Sequence, residues 1–326
     1  MSDDRTLALV TGGTGFVGSH FVDELLDAGY RVRTAVRATS DLRWLQGKEV
    51  EQVEADLATS DLGRLVAGVD VTFHVAGLTR GPASLLERAN VVATRRLADA
   101  VVSHGNGRRF VFCSSQAATG PGRLGRPRTA SDPPEPSGAY GRSKRAAEQI
   151  LERSEGLDAT ILRPPAVYGP RDRDTLPFFR MAQRGFALVP GVRTRNLQLV
   201  HARDVAVAAR LAAQTPASSG RAYFVAHPRV MDWKAVIGAT SEAVGRPVVA
   251  LPVPSPAVLA AGFAAGLFGV GKRPGQLDYR RAQDMVERAW TCDTRPATED
   301  LGWTPAYDLA RGFRHAIAWY REHGWL

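Results

Sequence analysis

The sequence predicts an α/β fold, a doubly wound parallel sheet with a smaller, partly interleaved C-terminal domain. Three observations predict it. Short apolar runs alternate with stretches of helical spacing through the first half of the chain. The first run, "TLALV", leads directly into the glycine-rich "TGGTGFVG". Later runs end in small or polar residues, "HVAG" and "CSSQAATG", where the carboxyl ends of such strands meet ligands.

The elements follow in order. "TLALV" is a buried strand, and "FVGSHFVDELLDAG" a helix that stops at Gly29. "RVRTAV", "VEQVEAD", "VDVTFHVAG" and "RRFVFCSS" supply strands two to five, and "LLERANVVATRRLADAVVSHG" is one long helix before the fifth. "SGAYGRSKRAAE" opens another helix, and "DATILRPPAVYGP" is the sixth strand. Beyond residue 165 the alternation fades. "RDVAVAARLAAQ", "MDWKAVIGATSEAVG" and "LARGFRHAIAWYREHG" read as helices, and "AYFVA" as a strand. The expected boundaries are a nucleotide-binding domain over 1–165, to which 195–215 returns, and a mainly substrate-binding domain over 166–326.

Composition bounds the function. With 326 residues, 44% hydrophobic and 23% charged, the chain can bury a large core unaided. The two cysteines, Cys113 and Cys292, make no disulfide framework and fit a reducing compartment. "MSDDRTLALVTGG" has neither a basic lead nor a leader-like apolar run, so a cytoplasmic location is expected. The net charge of +9 is spread without a basic block. That excludes a nucleic-acid tail and reads as a solvated, Arg-rich surface, with a bias towards anionic ligands such as phosphorylated cofactors as the sharper alternative. Val248–Gly271 is uncharged, but Pro252, Pro254 and Pro256 break its first third. The remaining helix, 257–268, falls short of the roughly 20 residues that span a bilayer. It is expected to be a core helix or substrate lid, with at most a weak membrane-surface contact and no transmembrane span.

The chemistry-bearing residues sit at the predicted strand ends. Gly12, Gly15 and Gly18 form G-x-x-G-x-x-G between a strand and a helix, a turn that lets backbone N–H groups approach a pyrophosphate. At the end of the second strand stands Arg37, with no acid before Asp41. A guanidinium grips a ribose 2′-phosphate, which a carboxylate would repel, so NADP(H) is favoured over NAD(H). Asp56, after the third strand, suits an adenine amino contact. His74 is flanked by apolar residues and reads as a core or cofactor-wall residue. The fifth strand delivers Ser114 and Ser115, and Tyr140 and Lys144 share one helix face four residues apart. No metal site is expected.

Taken in order, "TGGTGFVG", "DL", "HVAG", "CSSQAATG", "YGRSK" and "LRPPAVYGP" resemble the extended branch of the short-chain dehydrogenase/reductase superfamily, with its Rossmann domain. The resemblance implies a catalytic set of Tyr140 as general acid/base, Lys144 as its electrostatic partner, and Ser115 polarising the substrate oxygen. It implies cofactor contacts at Gly12, Thr14, Gly15, Phe16, Val17, Gly18, Arg37, Asp56, Leu57, Ala76, Gly77, Tyr140, Lys144, Pro164 and Val167. Asn90 resembles a residue that braces the sheet, and a homodimer is implied. Two departures distinguish the branch. "RPPAVYGP" has Ala166, and "LQLVHARD" has Leu197, where enzymes acting on nucleotide sugars carry Asn and Arg that meet a diphosphate. Arg195 is close but off register. The pattern lies nearest the dihydroflavonol reductase and 3β-hydroxysteroid dehydrogenase side. The expected function is an NADP(H)-dependent oxidoreductase interconverting a carbonyl and a secondary alcohol on a rather apolar small molecule. Pocket walls are expected near Leu78–Pro82, Gln116–Ala118, Pro165–Tyr168 and the 257–268 helix. Two alternatives stay open: an epimerase or dehydratase of nucleotide sugars using transient oxidation, and a non-catalytic NADP-binding sensor.

Overall fold

The computed structural model of the protein describes residues 5–191, 195–267 and 279–326. The first half runs β1 (Leu7–Thr11), α1 (Phe16–Asp27), β2 (Arg31–Val36), β3 (Val50–Glu54), α2 (Gly63–Val66), β4 (Val71–His74), α3 (Ala83–Leu86), α4 (Ala93–His104), β5 (Arg109–Cys113), α5 (Gly138–Arg153) and β6 (Asp158–Arg163). The second half runs β7 (Ala166–Tyr168), α6 (Leu176–Gln183), β8 (Phe186–Pro190), β9 (Asn196–Leu197), β10 (Leu199–His201), α7 (Ala202–Gln214), β11 (Ala222–Phe224), α8 (Trp233–Val244), β12 (Val249–Val253), α9 (Ser255–Leu267), α10 (Tyr279–Val286), β13 (Ala289–Trp290), α11 (Arg295–Leu301) and α12 (Leu309–Glu322).

Seven strands form one parallel sheet in the order β11-β6-β5-β4-β1-β2-β3. Strand order reverses between β1 and β4, which opens a crevice at their carboxyl ends. The continuous apolar run of β1 follows from burial on both faces. Leu7 and Leu9 point to one layer, where α4 and α5 supply Leu97, Val101, Ala147 and Leu151. Ala8 and Val10 point to the other, packed with Phe21, Val22 and Leu25 of α1 and the alanine-rich face of α7. A third core, built on Tyr168, Phe179, Val236, Phe313 and Tyr320, belongs to the C-terminal half.

The structure departs from the predicted elements in three places and gives one predicted strand its partner. The run "DATILRPPAVYGP" is two strands. β6 ends at Arg163 because Pro164 and Pro165 have no N–H to continue a ladder, and β7 pairs with β10 instead. The long helix before β5 is interrupted by a π-helical turn over Glu87–Val92. The "AYFVA" segment returns to the main sheet as β11. The helix placed at 257–268 begins at Ser255, and Pro252 does not break its segment. It lies in β12, which pairs with β8 on one side only. Phe268 lies outside the described residues. Among the described residues no helix is long and apolar enough to cross a membrane.

Candidate active site

The turn after β1 reaches α1 through Gly15, and no side chain caps that helix. The N–H groups of its first turn therefore have no acceptor within the helix. The turn is tight. A Cβ on Gly18 would collide with the carbonyl oxygen of Gly12. We expect Gly18→Ala to abolish measurable dinucleotide binding by fluorescence titration while the fold, read by circular dichroism, survives.

A cleft of about 820 Å³ opens over this turn. Gly12, Thr14, Gly15, Phe16, Val17, Gly18, Arg37, Asp56, Leu57, Ala76 and Gly77 all line it. Arg37 is exposed at the end of β2. Asp41, the nearest following acid, is 2.6 Å from Arg43, whose hydrogen bonds hold its carboxyl below the usual range. Asp56 accepts from the Ala58 N–H at 2.8 Å with one oxygen.

Other lining residues were not foreseen. Arg43 and Trp44 come from the loop after β2, and Arg171–Asp174 from the segment after β7. Arg80 and Asp174 form an ion pair at 2.5 Å that joins the two banks of the cleft. Arg171 bonds Asp23 of α1 at 2.7 Å and lies 5.3 Å over the Trp44 ring. Its φ of 72° is the one left-handed non-glycine backbone among the described residues, a conformation concentrated at functional segments. The only sequence signal was the charge density of "GPRDRD", which follows no motif.

His74 is fully buried, stacked on Phe112, with both ring nitrogens occupied. The Thr94 hydroxyl donates to the Asn90 carbonyl, so His74 Nε2 must donate to Thr94 Oγ1 at 2.9 Å. Nδ1 then accepts from Thr11 Oγ1 at 2.7 Å. Burial lowers its pKa to about 3, so the ring is neutral and structural. Asn90, in the π-helical turn, accepts from Leu78 N–H at 2.7 Å and donates to the Leu78 carbonyl and Ser143 Oγ, each at 2.8 Å. Ser143 in turn donates to the Tyr140 carbonyl at 2.8 Å. A chain of hydrogen bonds thus runs from β1 to the helix of Tyr140.

At the end of β5 the two serines diverge. Ser114 donates to the buried carboxylate of Glu148 at 2.6 Å. Ser115 accepts from Ala117 N–H and hydrogen-bonds the Tyr140 phenol. α5 comes this close only because residue 141 is glycine, since a Cβ there would strike the Ala117 carbonyl. Loss of water pushes the Tyr140 pKa up, against the Ser115 hydrogen bond. Lys144, 4% exposed, donates to the Cys113 carbonyl at 2.8 Å and sits 4.5 Å over the Phe112 ring. Burial pulls its pKa down, with Cys113 and Glu148 opposing. A Cβ on Gly77 would lie 3.4 Å from Lys144 Nζ, so the lysine adjoins the cleft.

Tyr140, Lys144, Pro164 and Val167 are not among the residues lining the cleft. The Pro164 carbonyl accepts from Gln116 N–H, beside the turn after Ser115, and Val167 packs against the core. Loop 121–138 is laced to the segment 289–293 by Gly122 N–H to Ala289 O and Arg128 N–H to Thr291 O, each 2.9 Å.

The model of the NAD dependent epimerase/dehydratase family matches residues 8–226. The chain belongs to this family. It is 31% identical to the ceramide reductase of Caulobacter vibrioides over 100% of this chain and 98% of that one. It is also 31% identical to a putative dihydroflavonol 4-reductase of Synechocystis, over 97% and 95%. Among solved structures it resembles MoeE5, crystallised with UDP-glucuronic acid and NAD, with a TM-score of 0.76 and 25% identity over 98% and 99% of the two chains. The protein is an NAD(P)-dependent oxidoreductase-type enzyme of the extended short-chain dehydrogenase/reductase superfamily. Its residues fit a nicotinamide dinucleotide: the tight glycine turn, the uncapped helix and a cleft lined with arginines suit a phosphorylated ligand.

Proposed function

We propose that the protein is an NADP(H)-dependent reductase of a carbonyl on a rather apolar small molecule. Residues 1–165 with 195–215 hold the cofactor, and 166–326 mainly form the substrate side. The juxtaposition of Ser115, Tyr140 and Lys144 at the carboxyl edge of β5 supports this most directly. When bound, the nicotinamide supplies the hydride. The Tyr140 hydroxyl donates the proton to the substrate oxygen, and Ser115 donates the hydrogen bond that fixes that oxygen beside the phenol. Lys144 lies one helical turn away, and its ammonium favours the phenolate left behind. Thr14, Gly15, Phe16, Val17 and Gly18 hold the pyrophosphate, and Asp56 and Leu57 flank the adenine.

What the diphosphate-binding positions have become supports this substrate class. Ala166 and Leu197 offer no polar group. Arg195 is spent, with Nη1 on the Met285 and Glu287 carbonyls at 2.7 and 2.8 Å and Nη2 on Ser255 at 3.1 Å. The name of the Caulobacter relative, a ceramide reductase, agrees with an apolar substrate. A panel of apolar ketones should therefore oxidise NADPH stoichiometrically. The second reading, favoured by the UDP-sugar bound to MoeE5, is epimerisation or dehydration of a nucleotide sugar. Turnover of a UDP-sugar with no net change in the reduced cofactor would establish it instead.

Arg37 is free to meet a 2′-phosphate, because the neighbouring acid, Asp41, is paired with Arg43. We expect the wild type to bind NADPH more tightly than NADH, and Arg37→Ala to weaken NADPH by about tenfold, or about 1.4 kcal/mol, without changing NADH. Titration of both cofactors checks this, and a wild type that prefers NADH overturns it.

A further inference from the structure

Each bank of the nucleotide cleft is fastened to the body of the protein by its own contacts. On one bank, the segment after β7 is anchored at its start. The Tyr320 hydroxyl of α12 lies 3.0 Å from the Gly169 carbonyl and 2.7 Å from the Asp172 carbonyl. His20 Nε2 of α1 donates to the Pro170 carbonyl at 2.9 Å, and Arg171 pairs with Asp23 of the same helix at 2.7 Å. The buried Asp172 carboxylate accepts from the Asp174 N–H at 2.7 Å and from Thr175 Oγ1 at 2.6 Å, which fixes the turn that presents Asp174. On the other bank, Asn90 clasps both backbone groups of Leu78, and Arg80 stands two residues beyond. Gly81 follows with a φ of 130°, and a Cβ there would meet no atom closer than 3.8 Å.

Arg80 and Asp174 close the gap between the banks at 2.5 Å, with side chains 18% and 39% exposed. Both residues line the same cleft as Gly12, Thr14 and Gly15. A dinucleotide seated on the glycine turn therefore lies between the two arms. An ion pair this exposed contributes little to stability, so it opens at modest cost while the anchored ends of the arms stay in place.

We propose that Arg80 and Asp174 form a latch over the bound nicotinamide dinucleotide, and that opening it sets the rate of cofactor release. Gly81, next to Arg80, is the nearest point of give in the backbone. The charges of the pair separate a latch from simple attraction. Acting alone in the cleft, Arg80 would hold an anionic ligand and Asp174 would repel it. Acting together, they form one closure, and removing either opens it. The latch rests on the assignment of a nicotinamide cofactor. It works on either dinucleotide, with or without a 2′-phosphate and for any substrate.

Stopped-flow fluorescence of NADPH and NADH release from the full chain tests it. Arg80→Gln and Asp174→Asn should each speed the release of both cofactors by about fivefold, the upper range for a partly exposed ion pair. The double variant Arg80→Gln/Asp174→Asn should release them no faster than either single variant. The charge swap Arg80→Asp/Asp174→Arg restores the pair and should return release towards the wild-type rate. Circular dichroism checks the fold of each variant. Faster release from Arg80→Gln with slower release from Asp174→Asn is the result of simple attraction and overturns the latch. Release within about twofold of the wild type in both single variants, the range of ordinary surface changes, also overturns it. A wild type that binds neither dinucleotide removes the cofactor and the latch together. Failure to turn over any ketone, with faster release in both single variants, removes the reductase assignment and leaves the latch standing.

Discussion

Tyr140→Phe is expected to lower kcat by a hundred- to ten-thousand-fold, the usual contribution of a positioned general acid. The substitution removes one hydroxyl from a helix turn held by other contacts. Gly141 still packs on the Ala117 carbonyl, and Ser143 still bonds the Tyr140 carbonyl and Asn90. Dinucleotide affinity should therefore be retained, so a loss in kcat with unchanged NADPH binding assigns the phenol to chemistry. Ser115→Ala should cost less, because it removes a hydrogen bond to the substrate oxygen but leaves the proton donor in place. Full activity in Tyr140→Phe would remove the proposed acid from the mechanism.

Glu148→Ala carries the largest expected loss of stability. Glu148 is fully buried on α5, one turn beyond Lys144. Its carboxylate accepts from Arg163 Nε and Nη2 at 2.9 and 2.8 Å, from Ser114 at 2.6 Å and from Arg145 at 3.0 Å. The cluster ties the ends of β5 and β6 to the helix that carries Tyr140 and Lys144. Removing the carboxylate strands the Arg163 guanidinium, 4% exposed, without its counter-charge. A broken buried pair costs about 3–5 kcal/mol. Denaturant unfolding of Glu148→Ala should show that loss in its midpoint. Replacing both partners with apolar residues, Glu148→Leu/Arg163→Met, should recover much of it, because no charge is left buried. A single variant within about 0.5 kcal/mol of the wild type, the range of ordinary surface changes, would mean that the cluster does not hold the helix.

The framework of the site was legible because backbone requirements leave strong marks. Glycines must stand where α1 meets the turn, and continuous apolar runs mark strands buried on both faces. Less visible were features set by contacts far apart in the chain. Pro164 and Pro165 announced an interruption, but the partner of β7 lies at 199–201. The π-helical turn has a helical composition, and it becomes evident only through the clasp of Asn90 on Leu78. Pro252 read as a breaker because a strand with an unpaired edge, where proline is tolerated, looks like no strand in the sequence. Arg171 and Arg195 are two arginines among many until their partners, Asp23 and the α10 carbonyls, are known.

The central claim is net reduction of an apolar carbonyl at the Ser115–Tyr140–Lys144 site. It is tested most directly by turning over such a ketone with NADPH carrying deuterium at both positions of the nicotinamide C4. The account predicts an alcohol carrying deuterium on its carbinol carbon, formed one for one with the cofactor consumed, and no product from Tyr140→Phe. A product without deuterium, or a UDP-sugar converted while the cofactor remains unconsumed, would contradict it.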